Sequence, residues 1–257
     1  MLPISKSFSV IPKFELIKKV LKNKNLENLN IADLCCGSGY VAEFLKNQNI
    51  KFKNYLGLDI DQETINNAKK YFEKDNNINF DRIDISKNRS ENYLNKFNLV
   101  FFLDGIEHIE NDVVAIKFAN DILHEKGELI LTTPHLKGIF TRNISTYLHD
   151  SGPMNNEREG YFKEEIIKKV EKFFHKKQVK ECNFFFAELF IFISKLGYRL
   201  VKKKYNSQAD LESVKDTYLF NIYSIILKLI KTPILILDNI LGKLSSGHCL
   251  FIHAIKK

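Results

Sequence analysis

The sequence predicts an α/β fold: a mostly parallel sheet with helices on both faces and a helical, apolar insertion before the last strand. Short apolar runs alternate with amphipathic helical spacing through the first 135 residues. A glycine-bearing turn, Cys36-Gly-Ser-Gly39, joins the first run to the first helix. The run Phe97–Leu103 is almost unbroken in its apolarity, as a parallel strand covered on both faces requires.

The elements follow in order. Residues 1–28 read as an N-terminal helical segment and 29–186 as the core. Within it, residues 31–35 form the first strand and residues 40–46 its helix. Residues 55–60 form the second strand, followed by a helix over 62–72 with Ile65, Ala68 and Phe72 on one face. Residues 78–85 alternate as the third strand, and 97–103 form the fourth. A helix over 110–124 carries the stripe Val113, Val114, Ile116, Ala119, Leu123; Gly127 ends it, and 128–133 form the fifth strand. Strands alternating with helices of this length imply right-handed crossovers. Residues 162–174 read as an amphipathic helix and 178–186 as a strand. Residues 187–246 form an apolar and basic helical insertion, and 247–257 return as the final strand of the core sheet.

Composition bounds the function. At 257 residues and 44% hydrophobic, the chain can build a sizeable core, and 27% charge does not describe a disordered polymer. Four cysteines, two of them the adjacent Cys35 and Cys36, make no disulfide framework and point to a reducing cytoplasmic setting. No Cys/His spacing suits a structural zinc. The first twelve residues lack the pattern of a secretory signal. The most apolar stretch, 217–241, is interrupted by Lys228, Lys231 and Asp238, so it does not read as a membrane span. Residues 1–150 balance their charges, and the whole net charge of +8 falls in residues 151–257. That asymmetry concerns partners rather than fold.

The chemistry concentrates in Asp33-Leu-Cys-Cys-Gly-Ser-Gly39. Gly37 and Gly39 let backbone approach a ligand, and the helix start behind them offers unpaired N–H groups. Asp59, twenty residues on at the end of the second strand, suits both hydroxyls of a ribose. Gly37-Ser-Gly39-Tyr-Val-Ala42 also satisfies G-x-G-x-x-A, the dinucleotide pattern, which would make the chain an NAD-dependent oxidoreductase. Asp33 weighs against that, since it would repel a pyrophosphate and suit an amino-acid ammonium. Asp84, at the end of the third strand, could take an exocyclic amine, with Ile60 and Ile85 enclosing a purine. Three carboxylates at three strand ends favour a cationic nucleoside.

At these residues the chain resembles the class I S-adenosylmethionine-dependent methyltransferases, over Ile31 to about Thr133. The resemblance implies a Rossmann-like seven-stranded sheet with its last strand antiparallel, and S-adenosylmethionine as cofactor. It implies that Asp33, Cys35, Gly37 and Gly39 cradle the methionine part, that Asp59 holds the ribose and that Asp84 meets the adenine, with Ile60, Ile85 and Leu103 also beside the cofactor. Cys35 stands where the family has its first loop glycine, a position that need not take a positive φ. Leu103-Asp-Gly-Ile-Glu-His-Ile109, Thr132-Thr-Pro-His135 and Arg158-Glu-Gly-Tyr161 resemble the subgroup of ubiquinone-biosynthesis, small-molecule and glycan methyltransferases.

The acceptor side then follows. Methyl transfer is an in-line displacement, to which alignment of the reactants contributes about 7–11 kcal/mol. His108, after the fourth strand, is the candidate catalytic base for an oxygen nucleophile. The same segment admits a metal reading: Asp104, Glu107 and His108 would hold Mg²⁺, with His135 or His149 as a fourth ligand, as in RNA 2′-O-methyltransferases. The insertion sets Phe, Leu and Ile against Lys202, Lys203, Lys204, Lys228, Lys231 and Lys243, a pattern suited to the inner face of an anionic membrane and a lipid-linked acceptor, or to a helical cap or dimer interface. No basic strip interleaved with aromatic residues favours nucleic acid. A non-catalytic ligand-binding protein of the same fold is the remaining alternative.

Overall fold

The computed structural model describes residues 11–22, 24–87, 91–138, 157–190, 229–230, 232–238, 240 and 246–257. Helix α1 (Ile11–Leu21) precedes β1 (Asn30–Leu34), α2 (Tyr40–Asn47), β2 (Asn54–Asp59), α3 (Gln62–Tyr71) and β3 (Ile78–Arg82). Then come β4 (Phe97–Leu103), α4 (Asp112–Ile122), β5 (Leu123–Pro134), α5 (Lys163–Val170), β6 (Phe174–Cys182) and β7 (Cys249–Lys256). Short 3₁₀ turns follow β3 (Ile85–Lys87) and β4 (Ile106–His108).

The strands form one seven-stranded sheet in the order β3-β2-β1-β4-β5-β7-β6. β1 pairs in parallel with β2 and β4, β2 with β3, and β4 with β5. β7 lies antiparallel to β5, with Thr132 opposite Phe251. The order reverses between β1 and β4, and in open sheets the crevice beyond the strands' carboxyl ends at such a point receives the ligand. The mostly parallel sheet with its helices is the architecture expected from the sequence.

Burial explains the pairing. β4 sits between β1 and β5, and Leu99 to Leu103 are all buried. The main core joins Val100 and Phe102 of β4, Ala115, Ile116, Phe118 and Ala119 of α4, and Leu250, Ile252 and Ala254 of β7. Gly57 has a packing role in β2: a Cβ there would lie 2.5 Å from the Phe80 ring and 2.8 Å from Cys36 Sγ.

Several boundaries differ from expectation. β3 stops at Arg82, so Asp84 lies in the following turn rather than on the strand. The Ile83 N–H instead bonds the Asp59 carbonyl at 2.8 Å. The helix expected over 110–124 is α4, capped at Asn111, whose side chain accepts from the Val114 N–H. It ends before Gly127 because Leu123 already pairs with Phe97 in the sheet. The helix expected over 162–174 ends at Val170, and the strand expected over 178–186 is β6, begun at the fully buried Phe174. The spacing of Phe173 and Phe174 suits either a last helical turn or a strand start, and burial of Phe174 selects the second.

The chain divides into two compact units. One comprises Glu15–Leu136, Ser151–Lys180 and Cys249–Lys257 and carries nearly all of the sheet. The other comprises Met1–Phe14, Lys137–Asp150 and Glu181–His248. Its described part includes helical residues 185–190 and 232–238. The Asp238 carboxylate accepts from the N–H groups of Phe186 and Ala187, at 2.8 and 3.2 Å, and so satisfies donors at that helix start. Most of the expected insertion, including Lys202, Lys203, Lys204, Lys228, Lys231 and Lys243, lies outside the described residues, as does His149. Among the described residues no helix is long and apolar enough to cross a membrane.

At the other edge of the sheet Glu128 accepts from Lys24 and pairs with His253. Burial alone would raise its pKa, but the hydrogen bonds from His253 and Lys24 prevail and bring it down to about 2. A depressed carboxylate stabilises the fold above its unfolded pKa, and that contribution is lost as pH falls through the folded value. Glu128→Gln is therefore expected to cost on the order of 2–3 kcal/mol near neutrality, the difference shrinking toward about pH 2. Urea unfolding across that range checks it; a difference independent of pH would contradict the assignment.

Candidate functional site

The glycine turn is built by left-handed backbone at three positions: Cys35 (φ 55°), Gly37 (φ 52°) and Gly39 (φ 82°). At Gly39 a side chain is also excluded by packing, since a Cβ would lie 2.8 Å from the rings of Phe72 and Phe80. At Gly37 a Cβ would meet nothing within 4 Å, so this stretch of backbone borders open space. Cys35 does adopt the conformation that its family position reserves for glycine, contrary to the expectation that a positive φ was unnecessary there. Such a conformation costs a non-glycine residue about 1–2 kcal/mol.

Asp59, at the end of β2, is buried and bridges two backbone segments. Its Oδ2 accepts from the Gly37 N–H at 2.9 Å and its Oδ1 from the Asp61 N–H at 3.0 Å. Asp61 in turn caps α3 through the Thr64 N–H. The glycine turn and the end of β2 are thereby fixed to one another.

Asp33, 1% exposed at the end of β1, accepts a hydrogen bond from the Tyr55 hydroxyl. Burial pushes its carboxyl up to about 8, the Tyr55 bond opposing and the nearby Asp59 charge adding. Asp84 accepts from the Ser86 N–H and hydroxyl and pairs with Lys87 at 3.0 Å. Burial would raise its pKa, but these partners outweigh it and hold the carboxyl below its usual range.

The acids converge. Burial raises the Cys35 thiol most, followed by the charges of Asp59, Glu107, Asp33 and Asp84. The Tyr40 hydroxyl, which donates to the Leu103 carbonyl at 3.1 Å, is raised by burial, then by Asp104, Asp33 and Glu107. Carboxylates from the ends of β1 and β2 and from the turns after β3 and β4 thus all act on the Cys35 thiol. A ligand with a cationic end suits them. Ile60 is 51% exposed and offers the apolar surface expected beside a purine. Ile85 does not: it is 5% exposed and packed into the main core, so the two isoleucines do not enclose a base.

After β4 the chain turns through Asp104 (φ 49°). The Asp104 N–H and carboxylate both engage Thr132, at 3.0 Å each. Glu107 is 3% exposed and accepts from the Thr133 hydroxyl at 3.2 Å. His108 ends the 3₁₀ turn half-buried at the same sheet edge, its N–H donating to the Gly105 carbonyl at 3.2 Å. His135 is buried and bridged through its backbone to Tyr161. Among the described residues no three His, Cys, Asp or Glu side chains are placed to hold a metal ion. The Mg²⁺ reading of Asp104, Glu107 and His108 is therefore not carried by the structure: the two carboxylates are drawn to different β5 hydroxyls.

Residues 32–129 match the family model of a methyltransferase domain. Over those residues the chain carries a methyltransferase domain. This removes the nicotinamide oxidoreductase reading of the glycine turn. Among curated proteins no sequence matches the chain. The fold is similar to that of an S-adenosylmethionine-dependent methyltransferase from Mesorhizobium loti (TM-score 0.59, 12% identity, 97% of this chain and 100% of that one). It is also similar to a phosphoethanolamine N-methyltransferase from Haemonchus contortus with S-adenosylmethionine bound (TM-score 0.60, 18% identity, 95% and 51%). A third similar structure is the [4+2]-cyclase SpnF (TM-score 0.59, 13% identity, 94% and 80%).

Sequence reasoning missed Tyr55, Thr132 and Thr133 as partners of the acids, and Tyr40 as a donor to the Leu103 carbonyl. Tyr55 was recoverable: a tyrosine in a buried parallel strand needs a partner for its hydroxyl. A carboxyl whose pKa is raised on folding stabilises the fold at low pH and withdraws that contribution as pH rises toward its folded value. Asp33→Asn, which keeps an acceptor for Tyr55, is expected to become progressively more stable than the unsubstituted chain between about pH 5 and pH 8. Thermal unfolding at a series of pH values checks this; a constant difference would refute it.

Proposed function

We propose that the methyltransferase acts on a hydroxyl of a small-molecule, lipid-linked or glycan acceptor, with His108 as general base. The observation that supports this reading is the placement of His108 on the turn after β4, at the sheet edge where the acids gather. The residues present fit the cofactor: open space borders the left-handed Gly37, and Asp33 is a buried carboxyl suited to an ammonium. Asp33 and the turn Cys35–Gly39 would hold the methionine part, Asp59 the ribose, and Ile60 with Asp84 the adenine side; Leu103 offers its strand-end backbone. S-adenosylmethionine, when bound, supplies an electrophilic methyl group.

The protein's own task is then positional. Asp59, held at both oxygens, keeps the glycine turn in register with β2. His108 accepts the proton of the acceptor hydroxyl, a role open to an imidazole within reach of it. The lipid-linked arm of the proposal draws on the apolar side chains exposed among the described helical residues of the second unit, Leu229, Ile236 and Ile240. The likeness to a cyclase favours one second reading, a reaction other than methyl transfer in the same scaffold.

Asp59→Ala is expected to weaken S-adenosylmethionine binding about 10- to 100-fold by calorimetry, the loss of charged hydrogen bonds; unchanged affinity would overturn the ribose assignment. Incubation with methyl-labelled S-adenosylmethionine and separate polar, lipid and glycan extracts identifies the acceptor class. Transfer of label to a hydroxyl supports the reading, and label on nitrogen or on no acceptor contradicts it. His108→Gln should reduce that transfer about 10²- to 10⁴-fold while leaving cofactor affinity in place.

A further inference from the structure

The turn that carries His108 is gripped from outside its own sequence. Arg158, just before α5, donates through its guanidinium to the carbonyls of Ile109 (2.9 Å) and Glu110 (2.8 Å). The Ile106 carbonyl lies 3.5 Å from the same group, and the Arg158 backbone N–H donates to the Glu107 carbonyl at 3.2 Å. The contacts fall before and after His108 in the chain. Asp112 Oδ2 anchors the guanidinium at 2.9 Å and also accepts from the Tyr161 hydroxyl (2.8 Å) and Lys169 (2.6 Å). Tyr161 pins the end of β5 as well, since its N–H bonds the Pro134 carbonyl at 3.0 Å. Gly160 is required beside it, for its φ is 147° and a Cβ would lie 2.6 Å from that carbonyl.

We propose that Arg158 is a positioning residue for His108, fixing the turn after β4 by holding backbone carbonyls that precede and follow residue 108 in the chain. The inference rests on the reading of His108 as general base. Nη1 shares its two N–H bonds among the Ile109 carbonyl, the Asp112 carboxylate and the Tyr161 hydroxyl, while Nη2 donates to the Glu110 carbonyl; a lysine ammonium retains the charge without that planar spread. Charge alone would satisfy Asp112, to which Lys169 is already paired.

The test uses the full chain labelled with ¹³C-histidine, the His108 ring signal being assigned by its loss in His108→Gln. In Arg158→Lys and Arg158→Gln that signal is expected to move and its titration midpoint to shift by roughly half a unit or more. S-adenosylmethionine affinity should stay within about twofold by calorimetry. Signals of His253, remote in sequence and paired with Glu128, should not move. An unshifted His108 signal and midpoint in both folded variants would overturn the proposal. So would unfolding of Arg158→Lys, which would assign the residue to the stability of the fold alone. Neither result depends on the acceptor, so a failed base assignment, read from labelled transfer in His108→Gln, is distinguishable from a failed positioning role.

Discussion

The Asp59 carboxylate is held by two backbone N–H groups, one from the glycine turn after β1 and one from the residue that caps α3. Each bond is a charge-assisted contact of ordinary length, and together they lock two loops that diverge from neighbouring strands. Without that lock the left-handed turn through Cys35, Gly37 and Gly39 would have little to hold it open, since at Gly37 no packing constrains it. The acids that gather around Cys35 and Tyr40 then face one another because their strands do. Parallel registry sets Asp33 beside Gly57, two residues from Asp59. Burial raises the Asp33 carboxyl most and the Asp59 charge adds to it.

The turn after β4 is organised by a different means. Nothing in the turn 104–110 is a regular element beyond one 3₁₀ turn, yet nearly every polar group in it is engaged from elsewhere. Thr132 and Thr133 of β5 take Asp104 and Glu107, and Arg158 takes the carbonyls that follow. Methyl transfer between two bound partners depends on alignment more than on charge. A scaffold with a rigid cofactor half and an acceptor half held by side chains from a later segment can vary the second without disturbing the first.

Much of this was legible in the chain. Asp33, Gly37, Gly39, Asp59 and Asp84 were readable because strand-end acids after a glycine turn follow a short-range pattern. The mostly parallel sheet followed from alternating apolar runs and the unbroken β4 segment, and its antiparallel last strand from the family resemblance. What escaped was set by tertiary burial. Ile85 looks equivalent to Ile60 in sequence, but one is in the core and the other half-exposed. Asp104, Glu107 and His108 have ligand-like spacing, and only the placement of the β5 threonines shows that the carboxylates are drawn apart. The bounds of α5 and β6 failed at Phe173 and Phe174, whose spacing serves helix and strand equally. The role of Arg158 could not be seen, because its partners lie some fifty residues earlier.

Cys35 and Gly105 meet closely: a Cβ on Gly105 would fall 2.5 Å from the Cys35 Cβ and 3.0 Å from its Sγ. The cofactor turn and the turn leading to His108 therefore share a single allotment of volume, already occupied from one side. Mutational drift at either position is conditional on its counterpart, a case of epistasis across the crevice floor. Bulk can migrate from residue 35 to residue 105 only if a glycine replaces the thiol in the same lineage.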